Sequence, residues 1–350
     1  MFRVKGKALV GPKAGRAAEG VDGACAGRAQ RERSSGHSYW GAHPKGSGAT
    51  PSHHFDFSAV NQVPPLSRGS RCGRKGSRMA AAVAAAPVVR LLRLRGVPIL
   101  EQLRLEEALL RATSQNWMIV NDGTPGPTVV MGISGKVHEL LEGPLVLQRG
   151  VPVVRRFSGG GTVVVDGGTV FATLIMQAQA LPGVDCFPAP IMRWTEGLYH
   201  HVFGPHGDFR LREHDYVIGE RKFGGNAQAI TGRRWLHHTS FLWDYDESNM
   251  ALLTNPAKQP EYRQRRAHAD FLLRLRDAMP SRAALLDAIP AAAAAAGLRL
   301  QEVAAGDAEL GAALAGEYLR QNRIVDVAAA LADPGAPRPR GGAAAAGAGG

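Results

Sequence analysis

Three consecutive glycines, Gly159, Gly160 and Gly161, stand between two apolar segments and constrain this fold more than any other feature of the sequence. Glycine loses more backbone entropy on folding than any other residue, so a triplet is costly unless backbone must approach something closely. Successive N–H groups of such a loop can also converge on an anionic oxygen. The triplet alone therefore predicts either a concave anion-binding loop or a flexible hairpin.

Two arginines, Arg155 and Arg156, precede the triplet at the end of a predicted strand. Adjacent strand residues point to opposite faces, so only one of the two can face the loop. A guanidinium in that position would suit phosphate. The loop matches neither the Gly-x-Gly-x-x-Gly nor the Gly-x-x-x-x-Gly-Lys-Ser/Thr pattern. This argues against a dinucleotide dehydrogenase and against a P-loop enzyme.

The positive charge of the chain is unevenly distributed. Of the net +12, most lies in residues 1–78, which hold 14 Lys and Arg against four acidic residues. Residues 79–350 are nearly neutral, with 28 basic and 26 acidic residues. Strong positive charge usually indicates that a protein binds nucleic acid or an anionic membrane, but here the charge belongs to residues 1–78. We therefore expect no nucleic-acid partner for the folded part, and no apolar window is long enough to predict a membrane span.

Composition divides the chain into three parts. Residues 1–96 are predicted to be a disordered basic leader, either a targeting segment or sequence upstream of the natural start. Residues 97–290 are predicted to form a catalytic domain. Residues 291–350 are interpreted as an Ala- and Gly-rich tail with a helix at 307–323.

Predicted strands and helices alternate irregularly within the catalytic domain. Two hairpins are expected, one around Asp166-Gly167-Gly168 and one across Thr231-Gly232. The pattern favours an α/β fold of the α+β kind, with mixed, largely antiparallel sheets flanked by helices. It does not favour a doubly wound parallel sheet.

A second glycine-rich element follows about 60 residues after the triplet. It places Lys222 shortly before the pair Gly224-Gly225 and the amides Asn226 and Gln228. Taken alone, this element is equally compatible with an exposed lysine in a turn.

Together the two elements resemble the catalytic domain of lipoate–protein ligases, whose class II synthetase-like fold is shared with biotin ligases and octanoyl transferases. The resemblance covers residues 97–290 and rests on the order and spacing of four motifs. These are Arg-Arg-Phe-Ser-Gly-Gly-Gly-Thr-Val-Val-Val-Asp at 155–166, Lys-Phe-Gly-Gly-Asn-Ala-Gln at 222–228, His-His-Thr-Ser-Phe-Leu at 237–242 and Lys-Gln-Pro-Glu-Tyr-Arg at 258–263. Biotin ligases fit less well, because their glycine-rich loop alternates Gly with Arg.

The resemblance implies an enzyme that uses ATP and Mg²⁺ to activate lipoate, or octanoate, as an acyl-adenylate. Lys222 corresponds to the family lysine that contacts both the acyl carbonyl and the phosphate, so it is expected to be the catalytic residue. The remaining assignments are nucleotide binding by Arg156, Gly161, Thr162, Val163, Val164 and Lys222, acyl binding by Ser158, Gly159, Gly160, Asn226 and Lys222, and Mg²⁺ binding by Asp215.

The resemblance also implies the acceptors of the acyl group. These are lipoyl domains, in the E2 subunits of 2-oxoacid dehydrogenases and in the glycine-cleavage H protein. A monomer is expected. The basic leader favours the mitochondrial matrix, with the plastid or the cytosol as alternatives.

Three alternatives remain open. An octanoyl transferase would use a cysteine nucleophile, but the two positions where such enzymes carry it hold no cysteine here, and Cys186 lies 36 residues before Lys222. The chain could instead transfer a preformed lipoyl-nucleotide, or bind lipoyl domains without turnover.

A zinc site at His237-His238 is not expected, because neighbouring strand residues face opposite ways. We interpret this pair and His200-His201 as packed or hydrogen-bonded histidines.

Overall fold

The computed structural model describes residues 86–254, 259–304, 306–316, 318 and 320–335. The leader up to residue 85, Lys258 of the fourth motif and residues 336–350 lie outside the described residues. Within the described part of the chain, no helix combines the length and the apolar character needed to cross a bilayer.

The described residues form strands and helices in an irregular order. The strands are β1 (Val88–Arg95), β2 (Asn116–Asp122), β3 (Thr128–Met131), β4 (Val153–Arg155), β5 (Val163–Val165), β6 (Thr169–Gln177), β7 (Phe209–Arg212), β8 (Asp215–Ile218), β9 (Arg221–Thr231), β10 (Arg234–Leu242), β11 (Arg299–Glu302) and β12 (Arg323–Ile324). The helices are α1 (Ile99–Ala112), α2 (Val137–Leu140), α3 (Gly143–Arg149), α4 (Pro188–Phe203), α5 (His268–Phe271), α6 (Arg282–Ala295), α7 (Ala308–Ala315) and α8 (Val327–Ala332).

The strands form two sheets. The large sheet has eight strands in the order β11-β1-β2-β6-β10-β9-β8-β7, and the small sheet has four in the order β12-β4-β3-β5. In the large sheet β1 pairs in parallel with β2 and β11, and the other neighbouring pairs are antiparallel. In the small sheet only the β3–β4 pair is parallel. The mixed, largely antiparallel α/β fold is therefore confirmed.

Both faces of the large sheet are buried at its inner strands β2, β6 and β10. Helices α4 and α6 cover one face, where Tyr199 and Ile289 pack against strand residues such as Leu174. Helix α1 covers part of the other face, where Leu105 meets Ile175. A further apolar cluster joins α1, Phe171 of the large sheet and the small sheet. The small sheet is thus fixed against the face of the large sheet on which the pocket described below opens.

The predicted boundary of the leader at residue 96 is wrong, because residues 88–95 form β1, an internal strand of the large sheet next to the edge strand β11. The arginine side chains of this strand are held in place. The guanidinium of Arg90 lies 4.7 Å from the ring centre of Trp117 and pairs with Asp307 and Glu309. Arg93 Nε lies 3.2 Å from a carboxylate oxygen of Glu302. The Arg–Leu pattern therefore belongs to a strand whose basic side chains have acidic partners in the C-terminal part.

The prediction that the chain after residue 290 is a tail outside the catalytic domain is also wrong, because residues 291–335 add strands to both sheets. Strand β11 forms one edge of the large sheet and β12 pairs with β4 of the small sheet. The helix expected at 307–323 ends at Ala315, since Gly316 has an extended backbone. Beyond it, the Asn322 side chain is buried and donates to the Leu103 carbonyl and to Glu107. The high alanine content of this segment gave no sign of the Asn322 contacts, which involve residues more than 200 positions earlier in the chain.

The hairpin expected around Asp166-Gly167-Gly168 is wrong. Strands β5 and β6 do not pair with each other, because the chain crosses here from the small sheet to the large one. A side chain at Gly168 would place its Cβ 2.3 Å from the Asp244 carbonyl oxygen, so the crossing requires glycine. The hairpin across Thr231-Gly232 is confirmed by the β9–β10 pairing.

Candidate functional site

The glycine loop, defined as residues 158–161, bridges the two sheets. Gly159 N–H donates to the Gln228 carbonyl of β9 at 3.2 Å, and Ile133 N–H donates to the Ser158 carbonyl. Gly160 has a φ of 122°, and a Cβ there would lie 2.6 Å from Arg156 Nη2 and 3.0 Å from the Asn226 carbonyl oxygen. A Cβ at Gly159 or Gly161 would meet nothing within 4 Å. The triplet therefore permits a close approach of backbone to protein at Gly160 and leaves its neighbours facing open space.

Arg156 supports this loop from beneath. Its guanidinium is buried and donates to the carbonyls of Val130, Gly159 and Gly161. Burial lowers the pKa of Arg156 to about 10, so the group stays charged at neutral pH. Arg155 turns the other way and donates to the carbonyls of residues 132, 133 and 135. The prediction that only one arginine faces the loop is confirmed, but Arg156 does not lie on the wall of the pocket described next.

A pocket opens beside the loop, between β5 of the small sheet and strands β9 and β10 of the large sheet. The predicted site residues that line it are Thr162, Val163, Val164 and Lys222. The remaining lining residues are Val165, Thr169, Gly224, Gly225, Ser240, Leu242, Met250, Leu253, Arg263, His268, Phe271 and Leu272. The structure therefore brings the strand that follows the triplet together with the predicted catalytic lysine.

The other predicted residues do not line this pocket. The glycine loop and Asp215 lie outside its wall. Asn226 pairs with Thr239, accepts a hydrogen bond from that hydroxyl at 3.0 Å, and donates to the His214 carbonyl. Because neighbours on a strand face opposite ways, the Asn226 side chain lies on the opposite face of β9 from Gly225.

Lys222 belongs to a group of three side chains that we name the lysine cluster, consisting of Lys222, Asp215 and Tyr262. Lys222 Nζ lies 2.7 Å from Asp215 Oδ1, and the Tyr262 hydroxyl donates to Asp215 Oδ2 at 2.8 Å. The register of β8 against β9 shifts between Tyr216 and Val217, next to the point where Lys222 pairs. Such bulges re-aim side chains, and here the irregularity lies beside the lysine.

Two further basic side chains, Arg263 and His268, line the same pocket, and neither was predicted as a site residue. Arg263 is buried, and its guanidinium lies 5.0 Å from the ring centre of Phe271. The pKa of His268 is lowered, first by burial and then by the charges of Arg263 and Lys222. Arg263 belongs to the fourth motif, and its position there is the signal in the sequence that could have indicated a role at the site. The pocket is therefore lined by two cations, one of them paired with Asp215, and by an imidazole.

The two adjacent histidines of β10 are buried on opposite faces of the large sheet, as expected. His237 contacts the Tyr216 hydroxyl and the Gln228 amide, and burial lowers its pKa to about 3. His238 Nδ1 lies 2.9 Å from a carboxylate oxygen of Glu106 on α1. Both are hydrogen-bonded core histidines, and nothing in the sequence indicated Glu106 as a partner.

No cysteine is found among the residues that line the pocket. The free thiol of Cys186 is partly buried elsewhere, and burial raises its pKa. Among the described residues, no three His, Cys, Asp or Glu side chains are grouped so as to hold a metal ion.

Comparison with known proteins identifies the family of this chain. Residues 98–295 match the family model of the lipoyl protein ligase A/B catalytic domain. An inactive lipoate–protein ligase 2 from Plasmodium falciparum is 27% identical over 232 residues, which cover 50% of this chain and 60% of that protein. Lipoate–protein ligase 1 from Staphylococcus aureus is 28% identical over 136 residues, covering 38% of this chain and 40% of that protein. The chain therefore matches at most about three fifths of the length of these curated relatives.

Two solved structures share the fold. A crystal structure of lipoate–protein ligase A bound with ATP has a TM-score of 0.53 and 17% identity, covering 66% of this chain and 93% of that chain. A bi-partite lipoate protein ligase from Thermoplasma acidophilum, studied with its E2 lipoyl domain, has a TM-score of 0.53 and 16% identity, covering 66% and 91%. With the family model matching more than half of its length, this chain belongs to the lipoyl protein ligase A/B catalytic domain family.

Proposed function

We propose that this chain activates lipoate, or octanoate, with ATP as an acyl-adenylate and transfers the acyl group to a lysine of a lipoyl domain. The observation that carries the proposal is the position of Lys222. Its side chain lines a pocket whose other wall is the strand that follows the glycine triplet. Arg263 lines the same pocket, so two cations face the space in which two anions would react.

The chemistry places a particular demand on this pocket. In the first step a carboxylate oxygen of the acid attacks the α-phosphorus of ATP, and pyrophosphate leaves. In the second step the acceptor amine attacks the acyl carbon, AMP leaves and the amine loses a proton. The first step brings two anions together, so a cation between them lowers the barrier. In this proposal Lys222 supplies that charge, and in the second step it offsets the negative charge that develops on the acyl oxygen and on the departing AMP.

The residues around Asp215 do not fit a protein-bound Mg²⁺ on their own. One carboxylate oxygen of Asp215 faces Lys222 and the other accepts from Tyr262. Mg²⁺ is commonly held by one or two carboxylates together with substrate phosphates and water. Asp215 is therefore not proposed to hold a metal ion.

Two other readings of the site are supported by particular relatives. The T. acidophilum ligase is described as bi-partite, which supports transfer of a preformed lipoyl-nucleotide or dependence on a helper chain. The P. falciparum relative is named inactive, which supports binding of lipoyl domains without turnover. In this chain the pocket still contains Lys222, Arg263 and the strand after the triplet, and these residues favour turnover.

The deciding experiment is a donor assay read by intact-protein mass spectrometry. The full chain is incubated with an apo lipoyl domain and one donor: lipoate with MgATP, octanoate with MgATP, lipoyl-AMP, or octanoyl-carrier protein. We expect modification with either free acid plus MgATP and with lipoyl-AMP. Modification with lipoyl-AMP alone would restrict the chain to transfer, and modification with octanoyl-carrier protein alone would make it a transferase. Binding without modification by any donor would contradict an enzymatic role.

The acceptors and the compartment are part of the same proposal. We propose E2 lipoyl domains and the glycine-cleavage H protein as acceptors, and the mitochondrial matrix as the compartment, with the plastid or the cytosol as alternatives. The first is tested by running the donor assay with each acceptor. The second is tested by imaging the full chain with a C-terminal fluorescent tag.

A further inference from the structure

Asp215 contacts both Lys222 and Tyr262 in a way that the proposed function does not explain. The carboxylate of Asp215 is almost fully buried, and each oxygen has one partner. A carboxylate with both oxygens fixed has one orientation, and so has the ammonium that it faces. From this geometry we propose that Tyr262 is a positioning residue that holds Asp215, and through it the amine of Lys222, in place for acyl transfer.

Contacts on every side hold Tyr262 in its position. Its N–H donates to a carboxylate oxygen of Glu213 at 3.3 Å, and its carbonyl accepts from Arg266 at 2.9 Å. The guanidinium of Arg212 lies 4.7 Å from its ring centre, and its ring lies 5.3 Å from that of Phe271. Burial and the neighbouring Asp215 carboxylate raise the pKa of Tyr262 far above its usual value, so the hydroxyl remains a donor.

The backbone around Tyr262 is strained. Gln264 and Arg265, which follow the turn Glu261–Arg263, have φ values of 50° and 59°. Non-glycine residues in the left-handed region cost free energy and tend to cluster at functional sites. Glu213, at the tip of the β7–β8 hairpin, has a φ of 53° and contacts the Tyr262 backbone. The strain therefore lies where this loop docks onto the hairpin that carries Asp215.

The same segment holds the backbone of Lys222. Leu273 N–H donates to the Lys222 carbonyl at 2.8 Å, and Lys222 forms an isolated parallel bridge with Leu272. Residues 262–273 thus fix the lysine twice, at its carbonyl through Leu273 and at its amine through Tyr262 and Asp215. A tyrosine that only filled the core would not require the hydrogen bond from its hydroxyl to Asp215.

This inference rests on the proposed function, and four variants separate the two. Tyr262→Phe removes only the hydroxyl and keeps the ring contacts. Asp215→Asn removes the carboxylate charge, and the double variant combines both changes. Tyr245→Phe is the matched control, because Tyr245 packs in the same apolar cluster without contacting Asp215 or Lys222. Thermal melting checks that each variant folds.

The first readout does not need catalysis. Each full-length variant is treated briefly with an acetylating ester, and acetylation of Lys222 is measured by peptide mass spectrometry relative to Lys136, which is half exposed. Asp215 shields the amine from reagent, so Tyr262→Phe should raise labelling of Lys222 about threefold or more, since coupled neighbours respond together. Asp215→Asn should raise it further. Unchanged labelling in Tyr262→Phe would overturn the inference.

The second readout is kinetic, with lipoyl-AMP as the donor and an apo lipoyl domain as the acceptor. Tyr262→Phe should lower kcat about 5- to 20-fold with KM within about twofold, because only an interaction that matters in the transition state is lost. In the Asp215→Asn background the same change should have almost no further effect. Independent, multiplicative effects would overturn the inference. If the wild-type chain transfers from no donor, the proposed function fails, and the labelling result alone decides this inference.

Discussion

The glycine loop and the lysine cluster hold the two sides of one pocket in place by different means. The loop is fixed by backbone hydrogen bonds and by Arg156 beneath it, and at Gly160 it has no space for a side chain. Within the cluster, one ion pair and one side-chain hydrogen bond join the three side chains. The loop should therefore be sensitive to added volume, and the cluster to lost charge.

The largest effect is expected from Lys222→Ala. Loss of the ammonium should lower the rate of acyl transfer about 10²- to 10³-fold, equivalent to about 3–4 kcal/mol of transition-state stabilisation. The free energy of unfolding should also fall, because the nearly buried Asp215 carboxylate loses its ion-pair partner, so thermal melting is measured alongside the rate. Single-turnover kinetics with lipoyl-AMP measures the effect, and Lys136→Ala is the control. Transfer at a near-normal rate would remove the lysine cluster from the mechanism.

Gly160→Ala tests the glycine loop by volume. The added Cβ would strain a positive φ and press on Arg156 Nη2, so the free energy of unfolding should fall by about 2–3 kcal/mol. Gly159→Ala is the matched control, with open space at its Cβ and an expected change within about 0.5 kcal/mol. Urea denaturation measures both. Equal stability of the two variants would show that the loop can relax around a side chain.

The free energy of unfolding should depend on pH through the protonation of His237 on β10. Its pKa is about 3 in the folded protein, against 6.5 for the unfolded group. As pH falls, the unfolded chain binds the proton first, so the stabilisation present above pH 6.5 is lost progressively toward pH 3. Between pH 7 and pH 5 this contributes a loss of about 2 kcal/mol.

Comparison with His237→Gln isolates that contribution, because the other titrating groups remain in both proteins. The free energy of unfolding of the variant should fall less between pH 7 and pH 5 than that of the wild type. Parallel curves for the two proteins would show that His237 is accessible to protons in the folded state.

Arg156→Lys distinguishes support of the glycine loop from direct contact with the nucleotide. Lysine keeps the charge but cannot reach three carbonyls as a planar fork. If Arg156 supports the loop, the free energy of unfolding should fall by about 1–2 kcal/mol, the value of one or two lost hydrogen bonds. Calorimetric titration with ATP provides the second measurement. Weaker nucleotide binding at unchanged stability would favour the direct contact.

The sequence predicted most successfully what short runs of residues determine. The two glycine-rich elements, the β9–β10 hairpin and the opposite faces of His237 and His238 all follow from local spacing, and the structure has them. Local spacing also predicted that only one of Arg155 and Arg156 faces the loop, while the resemblance alone gave Arg156 a role, in nucleotide binding. The support that Arg156 gives the loop could not be predicted, because it depends on how far the loop folds back over the Arg156 guanidinium.

What the sequence could not predict are contacts between distant segments. Glu106 meets His238 across 132 positions, and Tyr262 meets Asp215 across 47. Strand β1 was misread because leucines alternating with arginines suit a leader as well as a strand with acidic partners far along the chain. Alanine-rich residues after 290 were misread for a similar reason, since composition does not reveal a partner edge.

The position of β11 and β12 at the edges of the two sheets has a consequence for biosynthesis. The first strand of the large sheet pairs in parallel with a strand about 200 residues later, and such non-local pairing slows folding. On the ribosome, the large sheet keeps an open edge at β1 until nearly the whole domain has been made. Unpaired strand edges favour aggregation, so a chain cut at residue 295, where the family match ends, should be recovered mainly from the insoluble fraction.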